Sequence, residues 1–164
     1  MKYIYVLMTA VFLSMTADAQ ISIQLGFNID RQPIWGPAGY DHVEYYYLPD
    51  IEVYYNVPRH RFYYYEQGRW ISGTSLPSRY REFDFYHAYK VVINEPSPYR
   101  HHKMYLTKYY SYRGRHDQQP IRDSRDERYY INKNHPEHNT WMKQQKNENG
   151  HGNGKKKSHD NRRR

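Results

Sequence analysis

Apolar and polar positions alternate with a period of two in four segments of the chain. Ile21, Ile23, Leu25, Phe27 and Ile29 alternate with Ser22, Gln24, Gly26 and Asn28. Val43, Tyr45 and Tyr47 alternate with His42, Glu44 and Tyr46, and Ile51, Val53, Tyr55 and Val57 with Glu52, Tyr54 and Asn56. Phe62 and Tyr64 alternate with Arg61, Tyr63 and Tyr65. Alternation of this kind in β-branched and aromatic residues predicts half-buried strands. Leu48-Pro49-Asp50 predicts a tight turn, Pro58-Arg59-His60 a second, and Gln67-Gly68 a third before a short strand at Arg69-Trp70-Ile71. Pro and Gly fall between the runs, where a missing donor or a free φ does no harm. Short links join antiparallel neighbours, so residues 42–72 read as a β-meander.

The period then changes. Leu76, Tyr80 and Phe83 are spaced as on one helix face, with Ser75 as N-cap and Pro77 in the first turn. Tyr89, Val91 and Ile93 alternate with Lys90, Val92 and Asn94, a last strand that Pro96 and Pro98 end. Ser97-Pro98 opens a helix over 97–112, with Tyr105, Tyr109 and Tyr112 on one face. The fold class expected is mainly β or α+β. It is a small antiparallel meander of four to six strands over 20–96, with one or two short helices.

Charge divides the chain. It carries +8 in total, but residues 1–100 hold 9 Lys/Arg and 10 Asp/Glu, whereas residues 101–164 hold 16 and 7. From Lys143 onward there is no aliphatic or aromatic residue, and such a composition cannot offset the entropy of ordering. Residues 113–164 are therefore expected to form a basic, largely disordered tail.

The N-terminus predicts export. Lys2 precedes an apolar run, Ile4 to Met15, and Ala17-Asp18-Ala19 is a small-residue cleavage site. The apolar run is shorter than the roughly 20 residues of a membrane span. Cleavage is expected between Ala19 and Gln20, leaving a soluble protein in the periplasm or at the cell surface. The chain has no cysteine, which excludes disulfides, thiolate metal sites and thiol nucleophiles.

Candidate chemistry starts from the 21 tyrosines. The triplets Tyr45-Tyr46-Tyr47 and Tyr63-Tyr64-Tyr65 put aromatic rings on both faces of a sheet. If one face is core, the other offers an aromatic platform for sugar or peptide, and Tyr46, Tyr54, Tyr63 and Tyr65 are its candidates. The plainer reading is that the helix or the first strand covers that face. His101-His102 and His135-Pro136-Glu137-His138 are read as solvated histidines and not as metal ligands, because Pro136 breaks helical spacing. No cofactor is expected. The sequence has no His-Glu-x-x-His, no Gly-x-Ser-x-Gly and no phosphate loop. Asp50, Glu52, Glu66, Glu82 and Asp84 are carboxylates with no visible pairing, so a small hydrolase is the weakest reading.

Tyrosines interleaved with Lys/Arg suggest nucleic acid in a cytosolic protein. Export turns the expectation to acidic envelope components, lipid phosphate or anionic polysaccharide, or to a partner protein. Trp35-Gly36-Pro37, the segment Pro49 to Pro58, Phe62 to Tyr65, Gly68 to Ile71, Leu76-Pro77 and Tyr89 to Asn94 carry a resemblance to short tyrosine-rich exported proteins of Gram-negative bacteria. The resemblance covers about residues 33–95. It implies a periplasmic or cell-surface setting, but no activity, and it carries over no functional residue.

Overall fold

The computed structural model describes residues 27–152, with side chains described through residue 148. The expected signal peptide and most of the first predicted strand lie outside the described residues. Ile29, its last position, is in a short 3-10 turn, Ile29–Arg31.

Five antiparallel strands form the sheet: β1 (Tyr45–Leu48), β2 (Val53–Asn56), β3 (Arg61–Glu66), β4 (Arg69–Gly73) and β5 (Val91–Ile93). Their order is β4-β3-β2-β1-β5, so a four-strand meander is extended by a late strand beside its first. Helix α1 (His102–Lys108) and helix α2 (His138–Gly152) follow. The small β-meander with few helices is therefore the fold.

The hairpin turns set the register. Leu48 pairs with Val53, so the first loop has four residues, Pro49 to Glu52, and Ile51 is outside the strand. Glu52 closes the loop with φ at 56°, a left-handed conformation uncommon outside glycine. Between β3 and β4 the link has only two residues. Gln67 and Gly68 both have positive φ, as a type I′ turn requires. The first loop sets which residues share a face: Tyr46 lies opposite Tyr55, and so on the other side of the sheet from Tyr54, with which it was expected to share a face.

Both faces of the sheet are covered. On one, Tyr46, Leu48, Val53, Tyr55 and Phe62 pack with Val43 and Val57 beneath Trp35, Leu76, Phe83 and Phe85. Leu76, Tyr80 and Phe83 do reach this core, but the predicted helix is reduced to one 3-10 turn, Ser78–Tyr80. Pro77 holds extended ψ just before it, so little sequence remains in which to propagate a helix.

On the other face, Tyr45, Tyr47, Tyr54, Val91 and Ile93 pack against Tyr105 of α1, with Tyr99, Tyr109 and Tyr112 around it. The predicted 97–112 helix is thus a 3-10 turn (Pro98–His101), α1 and a second 3-10 turn (Tyr110–Tyr112). Its expected Tyr105, Tyr109 and Tyr112 face is the one that packs. Each buried ring removes about 1.5–3 kcal/mol of apolar surface from water, and its hydroxyl needs a partner. Tyr105 donates to Glu95 Oε2 at 2.6 Å, and Tyr46 to Gln32 Oε1 at 3.0 Å.

The basic stretch after residue 112 corrects an expectation. Residues 113–135 are folded against the domain and are not a disordered tail. Ile121 and Tyr129 are fully buried with Ile29 in a third cluster. Ala38 N–H donates to Gln119 O, Ile121 N–H to Gly36 O and Arg122 N–H to Ile34 O, each within 2.9 Å. The buried Asn132 amide donates to the carbonyls of Ile29 and Gln32. Few apolar residues suffice because side chain–backbone bonds satisfy the remaining polar groups. Residues 138–152 continue as α2, and 153–164 lie outside the described residues.

Candidate functional site

The four tyrosines proposed as an aromatic platform do not share a surface. Tyr46 and Tyr54 are both fully buried. Tyr46 also faces the opposite side of the sheet from the other three, as the register requires. Tyr63 is half-buried and stacked on Tyr99, with ring centroids 4.7 Å apart and planes at 11°. Only Tyr65 is well exposed, at 56 %. Helix α1 and the turn before it cover that face, as the plainer reading expects, and leave Tyr65 exposed at the open edge of the sheet.

At that edge lies a cleft of about 570 Å³, lined by Tyr65, Trp70, Tyr99, Arg100, His101, His102, Lys103 and Met104. Its volume is within the range of small-ligand sites. The two-residue turn at Gln67-Gly68 makes Tyr65 and Trp70 cross-strand partners, and their rings meet at 5.5 Å and 64°. Tyr99 closes the third side, 5.6 Å from Trp70. Ser97, with φ at 50°, turns the chain into the Pro98–His101 turn, which carries Tyr99 onto Tyr63. Arg100, His101 and Lys103 are then left exposed along the rim.

The charges of the cleft are of one sign. Among the described residues no carboxylate lines it. Among the described residues Arg100 and Lys103 make no ion pair, whereas Arg79, Arg113, Arg115, Arg122 and Arg128 each hold a carboxylate. Arg100 and Lys103 thus stand beside one exposed ring, Tyr65, and two half-buried ones, Trp70 and Tyr99, an arrangement whose charge can attract an anion.

Beneath the cleft runs a polar line. Tyr54 Oη is 3.0 Å from His102 Nδ1, and His102 Nε2 is 3.4 Å from Glu52 Oε2. Arg113 pairs with the other Glu52 oxygen. Burial, with Tyr47, Tyr105 and Glu52 nearby, holds the Tyr54 hydroxyl far above the usual tyrosine range. The phenol therefore stays protonated, and it shares a hydrogen bond with His102 Nδ1 whose donor is set by the histidine tautomer. The line fixes the His102 ring 5.1 Å from Trp70 and so shapes the floor of the cleft.

The other histidine motif has a structural place. His135 is buried, its Nε2 3.1 Å from Ile121 O, while its Nδ1 accepts from Glu137 N–H at 3.1 Å. This corrects the reading of His135 as solvated: it anchors the basic stretch. A larger depression, about 640 Å³, lies between residues 37–40 and 118–129. Its central hydroxyl, Tyr129 Oη, already accepts from the N–H groups of Gly39 and Tyr40 at 2.6 and 2.9 Å.

Sequence reasoning found Tyr65 and missed Trp70, Tyr99 and the rim cations. The Gln67-Gly68 turn contained the signal for Trp70: a two-residue hairpin places Tyr65 opposite it. Among the described residues no helix is long and apolar enough to cross a membrane. Comparison with known proteins gives no match, whether to a family model, a curated protein or a solved structure.

Proposed function

We propose that the mature chain, from Gln20 onward, acts outside the cytoplasm as a non-enzymatic binding protein that contacts acidic envelope components. The observation that carries this reading is the cleft at the β4 edge, where Arg100 and Lys103 have no carboxylate partner among the described residues. The net charge of +8 adds a long-range attraction for anionic surfaces. Residues 153–164 add six Lys/Arg against one Asp. The N-terminal pattern of Lys2, the Ile4–Met15 run and Ala17-Asp18-Ala19 supports export. The non-enzymatic reading draws on the lack of a catalytic motif in the sequence and on a cleft that, among the described residues, no carboxylate lines.

Retention on immobilised anionic polysaccharide and on anionic liposomes, measured from low to high salt, tests the binding. Retention is expected at low ionic strength and should fall steeply as screening shortens to about 10 Å near 0.1 M salt. Removing 153–164 together with Arg100→Gln and Lys103→Gln should abolish it. Retention indifferent to both salt and these charges overturns the proposal. Export is checked separately by the mass of protein recovered from the periplasm or medium, expected to begin at Gln20.

A further inference from the structure

We infer that the cleft at the β4 edge is a subsite for an acidic sugar chain, whose ring faces lie on Tyr65, Trp70 and Tyr99 and whose carboxylates meet Arg100 and Lys103. This rests on the proposed contact with acidic envelope components and names the component.

Two chemistries have to be met together. Sugar rings present flat C–H faces, which pack on aromatic rings that offer apolar area at low entropic cost. Tyr65, Trp70 and Tyr99 supply three such rings in succession, with centroid steps of 5.5 and 5.6 Å. The steps are comparable to one sugar unit, and the rings are mutually tilted, so they form the walls of a notch and not a flat plate. Uronic-acid units also carry one carboxylate each, and the rim carries two cations with no ion pair among the described residues. A cation there keeps its full charge for the ligand, and Arg can take a carboxylate in a bidentate bond.

Lipid phosphate fits less well. Trp70 and Tyr99 are recessed and half-buried, whereas a bilayer surface reaches only protruding groups such as Tyr65 and Met104. The recess suits a chain that can be threaded along the notch.

The test uses the mature full-length protein and titration calorimetry with four probes: polygalacturonate, its fully methyl-esterified form, poly-glutamate and phosphatidylglycerol vesicles. Polygalacturonate is expected to bind, with at least a tenfold loss on methyl esterification and on Arg100→Gln/Lys103→Gln. Tyr65→Ala should weaken polygalacturonate at least tenfold and leave poly-glutamate and vesicles within twofold. All three side chains are exposed, so amide NMR spectra should keep their dispersion and show the fold unchanged away from the site in each variant. Binding of polygalacturonate and vesicles that ignores Tyr65 overturns the sugar subsite while the acidic-partner reading stands. Equal Tyr65 dependence for poly-glutamate replaces the sugar with an acidic peptide and likewise overturns it. Binding to none of the anionic probes removes both readings together.

Discussion

Tyr46→Ala removes a ring that is fully buried against Trp35, with centroids 5.5 Å apart. Truncating an aromatic core residue costs about 3–5 kcal/mol. The same change leaves Gln32, itself 1 % exposed, without the donor that reaches its Oε1 at 3.0 Å. An unsatisfied buried acceptor adds about 1–3 kcal/mol. Together these approach the whole stability of an ordinary domain, about 5–15 kcal/mol. Tyr46→Ala is therefore expected to be unfolded or nearly so. Tyr46→Phe keeps the ring and loses only the bond, for a cost of about 1–3 kcal/mol. Tyr65→Ala, at a site 56 % exposed, gives up an edge contact with Trp70 and the bond its hydroxyl donates to Gly68 O at 2.8 Å, and should cost less than about 2 kcal/mol. Urea denaturation followed by far-UV circular dichroism ranks the three. A Tyr46→Ala protein within 1.5 kcal/mol of wild type, or a Tyr65→Ala protein as unstable as Tyr46→Ala, refutes the assignment of Tyr46 to the core and Tyr65 to the surface.

Other outcomes follow from the same structure. Gly36→Ala places a Cβ 2.6 Å from Tyr46 Oη and 3.0 Å from Pro33 O, and overpacking there should lower stability by about 1–3 kcal/mol in the same urea assay. Deleting 113–164 removes Ile121, Tyr129 and Asn132 and should abolish the cooperative thermal transition, whereas deleting 153–164 should leave it in place. Lys90 is buried with its Nζ donating to Tyr86 O at 3.2 Å, and burial pushes its amine down to about 8. Above that pH the unfolded chain binds the extra proton, so stability should rise from about pH 8 toward 10, by roughly 1–3 kcal/mol, and Lys90→Met should flatten the rise. Buried tyrosines act in the opposite sense: burial raises Tyr47 to about 12, so stability should fall as pH passes 10, where tyrosines of the unfolded chain ionise. Thermal melts from pH 7 to 11 read both limbs.

The alternation of β-branched and aromatic residues showed four of the five strands and the meander, because side chains alternate across a strand wherever it lies. The alternation does not contain the length of a loop. Pro49 to Glu52 is one residue longer than Leu48-Pro49-Asp50 suggests, and that residue decides which side Tyr46 faces. The helix covers the second face, as the plainer reading expects, but which tyrosines it buries was not legible, since Tyr is apolar in its ring and polar at its tip and marks neither core nor surface by type. The basic stretch was missed for a different reason. Its anchors, Ile121, Tyr129, Asn132 and His135, have no helical or strand period, and much of their hold is side chain to backbone. The cleft combines residues from β3, β4, the Pro98–His101 turn and α1, so Tyr65, Trp70 and His101-His102 each stood in a recognisable pattern but nothing in the sequence brought them together.

A titration of isotope-labelled mature protein with polygalacturonate, followed by amide and indole resonances, tests the central claim most directly. The account predicts salt-sensitive shifts concentrated at Tyr65, the Trp70 indole and residues 99–104. Shifts confined to residues 143–164, with the cleft unmoved, contradict it.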